Sequence, residues 1–160
     1  LYFLSKGLTS TTAGHFVNHA IYKHPHMGIR GYMPKIKLDQ ADKYFSLYIR
    51  TRDKWTCQRC GKRYEPPTRA LHCSHFMGRG KEATRFEPLN ADALCYGCHR
   101  YFTAHPAEHY AWQVKKKGEK TIEAIVLQSN TYKKKERKLE AIYWKQQLEK
   151  VKEEEHGTDH

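Results

Sequence analysis

Between Asp39 and Thr51, the apolar residues Ala41, Phe45, Tyr48 and Ile49 fall at i, i+4, i+7 and i+8, one apolar stripe on an otherwise polar segment. Asp39 stands just ahead of the stripe with the short side-chain oxygen that caps a helix, so the pattern predicts a helix ending near Thr51. The period is lost from Gly61 to Thr68, where Pro66-Pro67 forbids a helix and suits a loop. Leu71-His72-Cys73-Ser74-His75-Phe76 is short and flanked by loops, and is compatible with a strand. Gly78 and Gly80 around Arg79 make a flexible basic loop over 77–81, able to approach a phosphate backbone closely or to serve as a plain turn. Helical spacing returns near Cys98 with His99, Phe102 and Thr103, and Pro106 opens a further helix by occupying its first turn, with Tyr110 and Val114 on one side. Gly118 interrupts that helix, Thr121 to Gln128 gives a short apolar one, and Tyr132 to about Glu155 a long charged one. The last carries Leu139, Ile142, Tyr143 and Leu148, the residues expected to pack it as a strut. Residues 1–32 mix Gly, Ser, Thr and His without a period and are expected to be an irregular arm. The predicted division is therefore an arm at 1–32, a working domain at 33–131 and a charged helix at 132–160.

Length and composition narrow the possibilities. A chain of 160 residues with 39% hydrophobic content supports one domain with appended helices and a core small enough to need a staple. A net charge of +12 and a pI near 9.5, without an apolar run of membrane-spanning length, point to a polyanionic partner, DNA first, and away from a membrane. The charge is uneven: residues 41–131 hold 16 Lys+Arg against 9 Asp+Glu, whereas 132–160 hold 8 against 7, so contact is expected through the middle of the chain.

Cys57-Gln58-Arg59-Cys60 and Cys95-Tyr96-Gly97-Cys98 are two Cys-x-x-Cys knuckles, the spacing of a tetrahedral structural zinc site that takes a pair of thiolates from each tight turn. Two disulfides are the alternative. A fifth cysteine, Cys73, the lack of a signal-peptide pattern and the basic composition favour zinc in a reducing, cytoplasmic setting.

Between and beside the knuckles lie His75, Asn90 and His99. On these residues the segment from about Trp55 to Pro106 resembles the HNH nuclease family, and Leu71 to Phe76, Ala83-Thr84-Arg85-Phe86 and Leu94 to Phe102 are similar to the NinG (Rap) type of phage recombination nucleases. Phe45-Ser46-Leu47-Tyr48-Ile49-Arg50 also resembles that group. The resemblance implies an α+β fold, a zinc-stapled ββα-metal core with flanking helices, and a divalent-metal-dependent DNA endonuclease of a phage-infected or prophage-carrying cell. Branched recombination intermediates would be the substrate, Mg2+ or Mn2+ the catalytic ion, and 5'-phosphate with 3'-hydroxyl the product ends.

The residue types suit that chemistry. Phosphodiester hydrolysis needs an activated water and neutralisation of the charge that builds on the phosphate and leaving oxygen. His75 is expected to be the general base, because an imidazole near pKa 6.5 accepts a proton at neutral pH. His99 is expected to hold the catalytic ion facing it, and Asn90 to brace the loop that orients the base. Ser74 and Thr103 stand where many members carry further ligands, so water and substrate phosphate would complete the ion's shell; His72 and His105 are spare candidates. Arg79, Lys81, Arg85 and Arg100 are the expected phosphate contacts, with Lys115 to Lys117 as the surface to turn to if they are not. Two other classes fit the same residues: a non-catalytic zinc-stapled nucleic-acid-binding module, and an interaction module of a phage packaging or replication complex.

Overall fold

The computed structural model describes residues 36–157. The arm expected at 1–32 lies outside the described residues. Among the described residues five helices surround one two-stranded antiparallel sheet, a mixed α and β arrangement: α1 (Gln40–Arg52), β1 (Leu71–His75), β2 (Ala91–Cys95), α2 (Tyr96–Ala104), α3 (Pro106–Lys117), α4 (Glu119–Ser129) and α5 (Arg137–Gly157). Single 3-10 turns occupy Glu82–Thr84 and Pro88–Asn90.

Helix α1 begins as its sequence dictates. Asp39 Oδ1 accepts from the Asp42 amide at 3.2 Å, and Asp42 Oδ2 accepts from the Asp39 amide at 3.0 Å, a reciprocal capping box. Its stripe of Ala41, Phe45 and Ile49 is at most 1% exposed. At the far end Asp53 Oδ2 accepts from the Ala93 amide at 2.7 Å, while the Ala93 carbonyl accepts from the Gln58 amide at 2.8 Å. The outer edge of β2 is thus tied both to the end of α1 and to the first knuckle.

The sheet register runs from Leu71 opposite Cys95 to His75 opposite Ala91. Because side chains alternate across a strand, Leu71, Cys73 and His75 share one face, and His72 and Ser74 the other. On the first face Cys73 and Ala91 join Ala41, Phe45, Ile49, Phe86 and Trp144 in one core cluster under α1 and α5. On the second, Leu94 lies opposite His72 and packs with Cys98 and Phe102 of α2. β2 follows from a segment, Ala91-Asp92-Ala93-Leu94-Cys95, that carries little strand propensity of its own; burial of its first four residues holds it in place.

Helix α2 starts at Tyr96, inside the second knuckle rather than near Cys98, because the Cys95 Sγ accepts from the Cys98 amide at 3.4 Å and caps it. Gly118, at φ 86°, ends α3 and starts α4 in a conformation that glycine adopts without a Cβ clash. The long C-terminal helix begins at Arg137, not Tyr132, and Leu139, Ile142 and Tyr143 do not pack it: all three are at least 50% exposed. The packed face is Ala141, Trp144 and Leu148, with Trp144 at 4.7 Å from Phe45 and 4.9 Å from Tyr48 between ring centroids. Helix α5 therefore belongs to the same core as α1. Among the described residues no helix is long and apolar enough to cross a membrane.

Candidate metal centre and histidine clefts

The first knuckle turns through Gly61, at φ 74°, whose amide donates to the Cys57 carbonyl at 2.8 Å. The second turns into the first turn of α2. Together they bring the sulfurs of Cys57, Cys60, Cys95 and Cys98 within 4.8 Å of one another. The Cys60 and Cys95 Sγ atoms are 3.9 Å apart, close to the edge of about 3.8 Å for a tetrahedron with zinc–sulfur bonds of about 2.3 Å. All five cysteines are free. Burial raises the Cys95 thiol, but the Cys98 amide and the neighbouring thiols outweigh it and bring Cys95 down to about 7. Burial and those same neighbours push Cys98 up to about 12. Four thiols this close do not all ionise unaided, and a bound cation would supply the missing compensation. The donor set fits a structural metal such as zinc. Arg59 lies over Tyr101, 4.0 Å from its ring centre, and donates to the Cys98 Sγ at 3.7 Å.

The histidines occupy two clefts. His75, the last residue of β1, faces α1, with its ring 5.7 Å from Phe45, and lines a cavity of about 180 Å³ with Asp42, Lys43, Ser46 and Arg79. Its Nε2 lies 2.9 Å from the Arg85 carbonyl. A carbonyl only accepts, so Nε2 carries the proton and Nδ1 keeps the free lone pair. Burial and the Arg79 charge push His75 down to about 4, well below the ordinary imidazole value near 6.5.

His99 does not face His75. It stands on α2 above the opposite sheet face, where its Nδ1 lies 3.1 Å from the Nδ1 of His72. These two, with Tyr96, Arg100, Thr103 and Ala104, line a cleft of about 520 Å³. The reason is strand parity: positions 72 and 75 point to opposite faces, and α2 covers the face of the even-numbered residues. Burial, His72 and Arg79 lower the His99 pKa, so the Arg79 charge acts on both His75 and His99.

Asn90, wholly buried, braces the loop that follows β1. Its Oδ1 accepts from the Met77 amide at 2.7 Å, and its Nδ2 donates to the Met77 and Thr84 carbonyls at 2.9 and 2.8 Å. His105 is exposed and lines neither cleft; its Nδ1 is 2.9 Å from the Tyr101 carbonyl. The Thr103 hydroxyl donates to the His99 carbonyl at 2.9 Å.

Of the basic residues, Lys81 and Arg100 are exposed and Arg79 is half-buried at the His75 cavity. Arg85 is 5% exposed and grips Asp42 through two hydrogen bonds of 2.9 and 2.6 Å, so it is a core ion pair and not a phosphate contact. Lys116 and Lys117 are likewise engaged, donating to the buried Asp92 carboxylate at 2.6 and 2.7 Å. The partners Asp42 and Asp92 lie 43 and more than 20 positions away along the chain, beyond the reach of a local sequence signal.

No family model, no curated protein and no solved structure matches this chain.

Proposed function

We propose that the protein is a divalent-metal-dependent DNA endonuclease with an HNH-like ββα-metal centre stapled by zinc. The observation that carries this reading is the order β1, β2, α2 running through the second knuckle: it puts an imidazole with a free Nδ1 at a strand end and another on the following helix, with the Arg79 charge acting on both. When bound, the divalent ion supplies Lewis acidity toward the phosphate. His99 holds it. His75 is the proposed base through its unprotonated Nδ1, its ring oriented by the Arg85 carbonyl and its loop kept in place by Asn90; it opens into the cleft opposite that of His99, so the DNA would have to span the end of the ribbon for both to act on one phosphate. Arg79, Lys81 and Arg100 bind DNA phosphates, in keeping with the net charge of +12. Branched recombination intermediates are the proposed substrate, in line with the resemblance to the NinG type.

The test is incubation of the zinc-loaded chain with duplex, single-stranded and four-way-junction DNA, with and without Mg2+, Mn2+ or Ni2+. Cleavage that needs an added ion and is strongest on the junction is the expected result. DNA binding without cleavage under every ion would leave a zinc-stapled binding module, and no binding at all would leave an assembly module.

A further inference from the structure

We infer that the connection between α4 and α5, through Tyr132, Lys134 and Lys135, is a second nucleic-acid contact that takes unstacked bases, so that the protein grips single-stranded or splayed DNA through a surface that duplex cannot use. The inference rests on the DNA-binding half of the nuclease reading and not on cleavage. The near balance of charge over residues 132–160 hides a split: residues 132–140 hold five Lys+Arg against two Asp+Glu, and residues 141–160 three against five. The basic part falls ahead of α5, which starts only at Arg137, so Tyr132 to Glu136 is an irregular segment.

Tyr132 is 91% exposed, more than any other large apolar side chain among the described residues. A ring of that size left in water forgoes the burial that draws aromatic residues into cores and interfaces. Lys133 turns away to Glu140, at 2.7 Å. Lys134 reaches only Glu136, at 3.6 Å with both side chains exposed, a surface pair that a phosphate displaces at little cost. Lys135 is exposed and enters no ion pair among the described residues. The segment is pinned beside the loop proposed to bind phosphate. Asn130 Oδ1 accepts from Lys81 Nζ at 3.1 Å, Gln128 Nε2 donates to the Ala83 carbonyl at 3.1 Å, and Arg137 Nη2 donates to Glu82 Oε2 at 2.6 Å. Both ends of the connection are therefore held by the residues that follow Arg79, and the two sets of cations adjoin. Lysines alone would take any polyanion; the ring decides which. In a duplex each base face is covered by its neighbours, whereas an unpaired base offers its π face to a tyrosine whatever the sequence.

The experiment is fluorescence anisotropy of the zinc-loaded chain, without added divalent ion, on a labelled single strand of mixed sequence, on its duplex and on a fork with splayed arms. Wild type is compared with Tyr132→Ala, Tyr132→Phe, the double variant Lys134→Ala/Lys135→Ala, and the control Lys150→Ala/Lys152→Ala, which removes the same charge from exposed positions of α5. Circular dichroism and melts establish that each variant keeps the fold. Tyr132→Ala should weaken strand and fork about five- to 150-fold and duplex less than about twofold, with Tyr132→Phe close to wild type. Loss of Lys134 and Lys135 should flatten the slope of log K against log salt on the strand by about 1.4, at about 0.7 per phosphate, and the control should leave it unchanged. Strand affinity of Tyr132→Ala equal to wild type, an equal loss on duplex and strand, or a slope change shared by the control would overturn the inference. Strand binding that depends on Tyr132 in a protein that cuts no DNA under any divalent ion would leave the inference standing and defeat the nuclease reading. Cleavage by a protein whose strand affinity ignores Tyr132 would do the reverse. Binding to none of the three DNAs would overturn both and leave the patch to an acidic protein surface.

Discussion

Asp42 makes three structural contacts at once. It closes the capping box of α1, lines the His75 cavity and pairs with Arg85, whose own carbonyl orients His75. Burial raises its carboxyl, but the hydrogen bonds from Arg85 and the Asp39 backbone outweigh this and hold it below the usual range. Its stabilisation is therefore complete above an unfolded value of about 3.9 and is lost as pH falls below it. Asp42→Ala leaves a buried guanidinium unpaired and should cost about 3–5 kcal/mol, read as a lower urea midpoint at neutral pH. His75 sets a second expectation. With its pKa pushed down to about 4, its neutral form is fully present by pH 6, so a cleavage rate limited by His75 should be flat from pH 6 to 8 instead of rising through 6.5. Single-turnover rates across that range check it; a rise of roughly fourfold between pH 6 and 8 that levels off above 6.5 would show that another group, with an ordinary imidazole pKa, is the base.

At the scale of elements, what was legible in the sequence was what is local. The cap and stripe of α1, the two knuckles and the Pro106 start of α3 depend on residues within a turn or two of each other, and all appear at their expected places. The strand β2 did not announce itself, since Ala91-Asp92-Ala93-Leu94-Cys95 becomes a strand by pairing with β1, not by propensity. In α5 three of the four residues expected to pack it, Leu139, Ile142 and Tyr143, turn outward, and the position of α1 decides that Ala141, Trp144 and Leu148 turn inward. Trp144→Ala should thus cost about 3–5 kcal/mol, while Leu139→Ala, 61% exposed, should stay within about 0.5 kcal/mol. Thermal melts of the two variants would separate these faces, and equal losses would contradict the packing described. The candidate site was legible in its residue types and its Asn90 brace. The pairing of His99 with His72 and the burial of Arg85 were not, because strand parity and an ion pair spanning 43 positions are properties of the folded chain.

At the scale of the whole molecule, the four-cysteine cluster and the core share residues. Cys57 and Cys98 pack with Leu71, Ala93, Leu94 and Phe102, so the cluster that would hold the ion also closes one side of the sheet. Stripping the metal with a strong chelator, or replacing Cys57 by Ser, should unfold the domain with loss of helical circular dichroism, and metal analysis should find about one zinc per chain. A metal-free chain with an unchanged melt would separate clamp from fold. The same cluster sets the two histidine clefts on either side of a two-stranded ribbon, and the proposed reaction requires His75 and His99 to act together from opposite faces. The most direct measurement is the single-turnover cleavage rate of His75→Ala against wild type on junction DNA at saturating divalent ion, with zinc content and DNA affinity matched. A fall on the order of 10² to 10⁴ that excess Mn2+ does not restore is the predicted result; cleavage at the wild-type rate would contradict it.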